Sequence, residues 1–191
     1  MNYQQIRSRL KEHNLEVFTT QEFVNVTGIK REVAKVKLSR YKAKGYLISP
    51  KREIYYLTDE VSDKNRVANK LYYPSYISLD TALSKYNIIP ETVYTITSIT
   101  TKATREFDDE SQIYRYFRIK KEAYTGYLKE EDILIADPEK ALVDYLYFVS
   151  MGKRQLNDRL NLKKINKQKV YFYSKLFKNE RLYKLIDKIF K

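Results

Sequence analysis

Cysteine and tryptophan are both absent from the 191 residues. Without a thiol there is no disulfide framework, no cysteine nucleophile, no iron–sulfur cluster and no cysteine-ligated zinc. The same absence fits a reducing compartment. Histidine occurs once, at His13. A Ser–His–Asp triad or a histidine-rich metal centre would have to use it. Its neighbours Lys11, Glu12, Asn14 and Leu15 read instead as a helix end, where the dipole favours an exposed imidazolium. There are only 4 Gly and 4 Pro, which excludes collagen-like, low-complexity and broadly disordered chains. No apolar run approaches the roughly 18–20 residues of a membrane span. Residues Met1–Arg7 lack the apolar segment of a signal peptide. A cytoplasmic protein without a membrane partner is expected.

What the chain has in excess is positive charge and tyrosine. It carries 37 Lys and Arg against 24 Asp and Glu, a formal net charge of +13, with 19 Tyr and 8 Phe. Such a balance points to a polyanionic partner, most simply nucleic acid. The excess is uneven. Residues 1–60 hold 12 basic and 7 acidic side chains, residues 61–150 hold 12 and 14, and residues 151–191 hold 13 and 3. The middle is an ordinary globular surface and the two ends carry the charge. The length suits one large domain or two small ones, at about 100–150 residues each. Polar residues over Thr58–Asn69 mark one boundary, and Met151-Gly152-Lys153 a softer one. The expected organisation is a domain over 1–58, a linker over 59–69 and a domain over 70–191, with a basic helical tail at 151–191.

Tyr3, Ile6 and Leu10 recur at i, i+3 and i+7, one face of a first helix that Asn2 can cap. Thr19 and Glu22 have capping-box spacing and open a short second helix with Phe23 and Val24 inward. Gly28 ends it as a left-handed residue would. A third helix is predicted from Lys30 to Lys44, stopped by Gly45, with Ala34, Leu38 and Tyr41 facing the first two. Val33 and Val36 fall off that stripe. Short helix, glycine turn and longer basic helix is the helix-turn-helix order. Two β-prone runs around a Ser49-Pro50-Lys51-Arg52 turn then predict a hairpin with a basic tip, a wing. A helix fits the major groove and meets base edges with its N-terminal half. Lys30, Arg31 and Lys35 are placed for that, and only Arg31 of the three has the fork that bonds guanine bidentately. Lys37, Arg40, Lys42, Lys51 and Arg52 complete the candidate DNA contacts, as phosphate ligands. Competing readings are a solvated basic face and a winged helix that binds protein.

Further on, Ser78 can cap a helix ending near Asn87. Val93–Ile99 alternates as a half-buried strand, and Ile113–Ile119, Ala123–Tyr127 and Ile133–Ala136 read as further strands. Asp137 caps a helix with Pro138 at its first position, and Ala141, Leu142, Tyr145, Leu146 and Val149 line one face. The ordered set Pro74–Leu83, Ile89-Pro90-Glu91, Val93–Ser98, Tyr114–Ile119 and Ile135–Asp144 resembles the AbiEi-family antitoxins of abortive-infection, type IV toxin–antitoxin systems. The resemblance covers residues 72–148 in order and spacing. It implies an N-terminal winged helix that binds inverted repeats of double-stranded DNA in its own promoter and represses the operon. It also implies a C-terminal region that counters a nucleotidyltransferase-like toxin from the same operon. A stand-alone transcription regulator without a toxin is the alternative.

An enzyme reading has less to stand on. Asp137-Pro138-Glu139-Lys140 invites comparison with metal nucleases, whose carboxylates and lysine converge on a cation from a strand. On a helix, adjacent Glu139 and Lys140 diverge by about 100°, and Asp137 serves as the cap. Asp108-Asp109-Glu110 reads as a solvated turn. There is neither a phosphate-binding loop nor a dinucleotide fingerprint. A non-enzyme with no cofactor and no metal ligands is expected. In the tail, Leu182, Leu185, Ile186, Ile189 and Phe190 form an amphipathic face behind Asn179, and Arg154–Leu162 reads as another short helix. Lys163, Lys164, Lys167 and Lys169 fall in the connection, a candidate second basic surface for DNA backbone, an acidic toxin or RNA. The expected fold class is α+β: an N-terminal winged helix-turn-helix, then a mixed α/β C-terminal domain with a basic helical tail.

Overall fold

Local chemistry sets the first elements. The structure, a computed structural model, describes residues 1–59 and 63–191. Helix α1 (Tyr3–Glu12) starts at Asn2, whose side chain accepts from Gln5 N while the Gln5 side chain accepts from Asn2 N. Strand β1 (Val17–Thr19) leads into α2 (Thr20–Thr27), where Thr19 and Glu22 make the expected reciprocal cap. Gly28, at φ +68°, ends α2 in the left-handed conformation that a residue without Cβ adopts at little cost. Helix α3 (Arg31–Ala43) follows, then strands β2 (Leu47–Lys51) and β3 (Ile54–Leu57). All pairings are antiparallel, in the order β1-β3-β2. Ile6, Leu10, Phe18, Phe23, Ala34, Leu38, Leu47 and Leu57 close a small core.

The hairpin reverses at Arg52-Glu53, two residues later than the expected Ser49–Arg52 turn with Pro50-Lys51 at its centre. Ser49 and Pro50 stay within β2 as an irregularity between Ile48 and Lys51, and Glu53 takes a φ of 66°. Proline has no N–H for the ladder, so it sits where the ladder breaks. The expected linker also changes. Residues 64–71 form α4 (Lys64–Leu71), with Val67, Ala68 and Leu71 buried, while positions 60–62 of that linker lie outside the described residues.

A mixed sheet carries the rest. Strand β4 (Ser75–Ile77), helix α5 (Leu79–Lys85), then β5 (Ile96–Thr100), β6 (Arg105–Asp108), β7 (Ile113–Arg118), β8 (Tyr127–Glu130) and β9 (Ile133–Ala136) build six strands ordered β6-β7-β5-β4-β9-β8. β4–β9 and β5–β7 are parallel, and the other neighbours antiparallel. β5 starts at Ile96 rather than Val93, and every residue in it is buried, where alternation predicted one wet face. The expected strand at 123–127 does not form as one: a 3-10 turn ends at Ala123, 124–126 are irregular, and Tyr127 opens β8.

Helix α6 (Pro138–Ser150) is capped by Asp137 and packs against α5, α7 (Lys167–Lys175) and α8 (Glu180–Ile189). It is therefore buried on nearly every side, not along one stripe. The helix expected over Arg154–Leu162 is instead a strap. Tyr145 Oη donates to Gln155 O (2.7 Å) and accepts from Asn157 N (2.8 Å), and Asn161 N donates to Ile88 O (2.8 Å). Backbone groups bonded to other elements are not free for a helical ladder. Val170, Tyr173, Phe177, Leu182 and Ile186 belong to the main core, so 151–191 is an integral layer of the domain rather than a tail. The fold is α+β, with eight α-helices and two sheets among the described residues.

Polar side chains join the two parts. Tyr56 Oη on β3 donates to Asp109 Oδ2 (2.7 Å) and accepts from Lys64 Nζ (2.7 Å). Lys70 Nζ bonds Glu22 Oε1 (2.7 Å) and Val17 O (2.9 Å). Asp109 also accepts from Tyr114 Oη, Ser111 N and Oγ, and Gln112 N. The predicted solvated turn at 108–110 thus holds an anchor between the parts.

Candidate nucleic-acid interface

Helix α3 owes its placement to the turn before it. Gly28 reverses the chain, Thr27 Oγ1 donates to Phe23 O (2.6 Å), and Ile29 packs beside the small core. Ala34 and Leu38 are fully buried and Tyr41 half-buried, as their spacing predicts. An α-helix advances about 100° per residue. The opposite face therefore presents Glu32, Val33, Val36, Ser39, Arg40 and Ala43, all exposed. Lys30, Lys37 and Lys44, seven apart, run along one margin of that face, and Lys35 and Lys42, also seven apart, run along the other. Among the described residues, Lys30, Lys35, Arg40, Lys42 and Lys44 have no ion-pair partner. Arg40 and Lys42 also lie in the last turn, where cations complement the helix dipole.

Three of the expected contacts differ. Arg31 is tied to its neighbours, though its side chain is 40 % exposed: Nη1 donates to Gln21 Oε1 (2.8 Å) and Nη2 to Glu53 Oε1 (2.8 Å). Its guanidinium clamps α2, the start of α3 and the hairpin turn together, so the fork expected on guanine is engaged within the protein. Lys51 is not at the tip. It lies 5.6 Å from the centroids of both the Tyr72 and Phe107 rings, with Nζ 3.4 Å from Leu71 O. Lys37 Nζ donates to Met1 O (3.2 Å) and keeps its margin position. Arg52 sits exposed in the turn as expected.

The second basic surface separates into two pairs. Lys163 and Lys164 are exposed on the strap. Lys167 Nζ donates to Phe190 O (3.1 Å). Lys169 bridges Asp137 Oδ2 (2.9 Å) and Glu139 Oε2 (3.1 Å). Burial pulls the Lys169 pKa down, but those two carboxylates outweigh it and hold it above the ordinary lysine value. Asp137 is fully employed as well, capping Lys140 N (2.8 Å) and accepting from Tyr173 Oη (2.5 Å).

One cluster was not visible in the sequence. Lys140 and Asp144 are an ion pair with both side chains fully buried. Tyr76 and Ser78 donate to Asp144 Oδ2 at 2.9 and 2.8 Å, and Lys140 Nζ donates to Tyr76 Oη at 2.9 Å. Burial lowers the Lys140 pKa and raises that of Asp144. Its i, i+4 spacing looks like a surface pair, and only the helices around α6 seal it. Sealed groups reach no substrate, so the cluster locks α6 onto β4. A cleft of about 710 Å³ beside the strap has its arginines already matched, Arg154 with Asp80 and Arg159 with Glu91. Among the described residues, α3 carries exposed cations without ion-pair partners along both margins of one helix face, and the outer face of α8 carries a second such row at Arg181, Lys184 and Lys188. Compared with known proteins, the chain matches no family model, and no curated sequence is significantly similar to it.

Proposed function

We propose that residues 1–58 are a winged helix-turn-helix that binds double-stranded DNA, and that the protein is a cytoplasmic, non-enzymatic repressor of its own promoter. The observation that carries this is the two-margined face of α3. A reading helix is positioned by cations toward both phosphate strands and meets base edges with the side chains between them. Arg52, exposed in the hairpin turn next to Glu53, is read as a further phosphate contact. Inverted repeats in the upstream region are the expected sites.

The same proposal makes the protein the antitoxin of a type IV toxin–antitoxin system, opposing a nucleotidyltransferase-like toxin. This part rests on the resemblance over residues 72–148. Co-expression with the adjacent gene tests it: growth arrest by that gene alone, relieved by this protein, is expected. Arrest without relief sinks the antitoxin part and leaves a stand-alone regulator. For DNA, fluorescence anisotropy compares the upstream region with a scrambled duplex. A gap of about 10³-fold is the expected result. Equal, weak binding to both removes the repressor reading.

A further inference from the structure

The exposed face of α3 carries two valines at its centre, flanked by Glu32, Ser39 and Arg40, where a solvated helix would carry only polar groups. Val33 is 48 % exposed and Val36 50 % exposed. Both branch at Cβ, which lowers helix propensity, and at these positions no core contact compensates. They sit in the first two turns of α3, between the Lys30–Lys37 margin and Lys35. The apolar group that a DNA major groove presents to a helix is the thymine C5-methyl. Cations on both margins fit the two phosphate strands that wall the groove, which sets the valines over base edges. The Arg31 fork, the bidentate guanine ligand at the start of the helix, is bonded to Gln21 and Glu53 in this structure, so it competes less for the base edges there.

We infer that Val33 and Val36 read thymine methyl groups, so the sites this protein selects carry A·T pairs beneath the first two turns of α3. The inference rests on the reading of residues 1–58 as a DNA-binding module. A protein partner laid on the same face would bring an apolar surface against the valines and acidic groups against the lysines, and it is the other outcome of the test.

The full-length protein is used to enrich duplexes from a random-sequence pool. The enriched duplex is then remade with deoxyuridine at single thymidine positions, which removes the methyl and leaves pairing intact. Affinity is expected to fall about fourfold at each contacted position, the equivalent of one buried methylene. Val33→Ala and Val36→Ala should each bind the thymidine duplex about fourfold more weakly and lose the thymidine–deoxyuridine difference at one position. Both replace exposed side chains with a better helix former, so folding is retained. An enriched duplex that tolerates deoxyuridine throughout, or valine variants that keep the difference, overturns the inference and leaves DNA binding standing. Failure to enrich any duplex overturns both and redirects the valine patch to a protein partner.

Discussion

Asp144 and Lys140 show how far burial changes what a residue does. At i and i+4 on a helix the pair would ordinarily be worth a few tenths of a kcal/mol. With both side chains at zero exposure, losing one partner strands a charge in the interior. Asp144→Ala is expected to cost about 3–5 kcal/mol in urea unfolding. Lys140→Met combined with Asp144→Asn removes both charges and keeps an acceptor for Tyr76 and Ser78. That double variant should cost less than either single change, and a larger loss would mean the charges themselves stabilise the fold. The alternation of residues hid this pair, because period and spacing report a helix face but not what covers it. The partners of Arg31 were hidden for the same reason. Its fork is visible in the sequence, but Glu53, 22 positions away, claims it only once the hairpin folds back.

Elements differ in legibility by how local their causes are. The Asn2, Thr19, Asp137 and Asn179 caps were all legible, since each side chain bonds a backbone N–H three residues on. The three-residue strands β1 and β4 were not, because pairing with distant partners defines them. α4 hides its Val67-Ala68-Leu71 face in a polar stretch. Gly126 also gains meaning only from packing. At φ +76° its added Cβ would stand 2.7 Å from Tyr173 Cε1 and 2.9 Å from Lys140 Cγ. Gly126→Ala should therefore cost more than the roughly 1–2 kcal/mol of a left-handed backbone alone, as a drop in melting temperature. Gly28→Ala, with open space around it, should cost no more than that backbone term. On α3, each phosphate-bound lysine adds about −0.9 to the slope of log affinity against log salt. Lys35→Gln with Lys42→Gln should flatten that slope by about 1.8 units, equally for specific and scrambled duplex. An unchanged slope would place those lysines away from the phosphates.

At the scale of the whole molecule, the joint decides whether the two parts act as one. Asp109 accepts from Tyr56 on β3 and from Tyr114 on β7, so a single carboxylate spans the boundary between the N-terminal sheet and the main sheet. Burial raises its pKa, but the hydrogen bonds from Ser111, Tyr56 and Tyr114 outweigh that and hold it below the ordinary aspartate value. A carboxylate depressed in the folded state stabilises the fold fully above its unfolded pKa, near 4. That contribution is lost as pH falls through the lower, folded value. Asp109→Ala leaves both tyrosine hydroxyls without this acceptor and should cost about 1–3 kcal/mol at pH 7. Urea unfolding of wild type and variant should show that gap narrowing below about pH 4, as the wild-type carboxyl takes up its proton. A gap that stays constant through the acid range would mean the joint is held by packing around Tyr56 and not by the charge on Asp109. The Lys70–Glu22 bond crosses the same boundary on another element, so the parts should remain docked in Asp109→Ala at neutral pH. Under the DNA-binding role proposed above, its affinity for duplex should then match wild type, and only its acid stability profile should change.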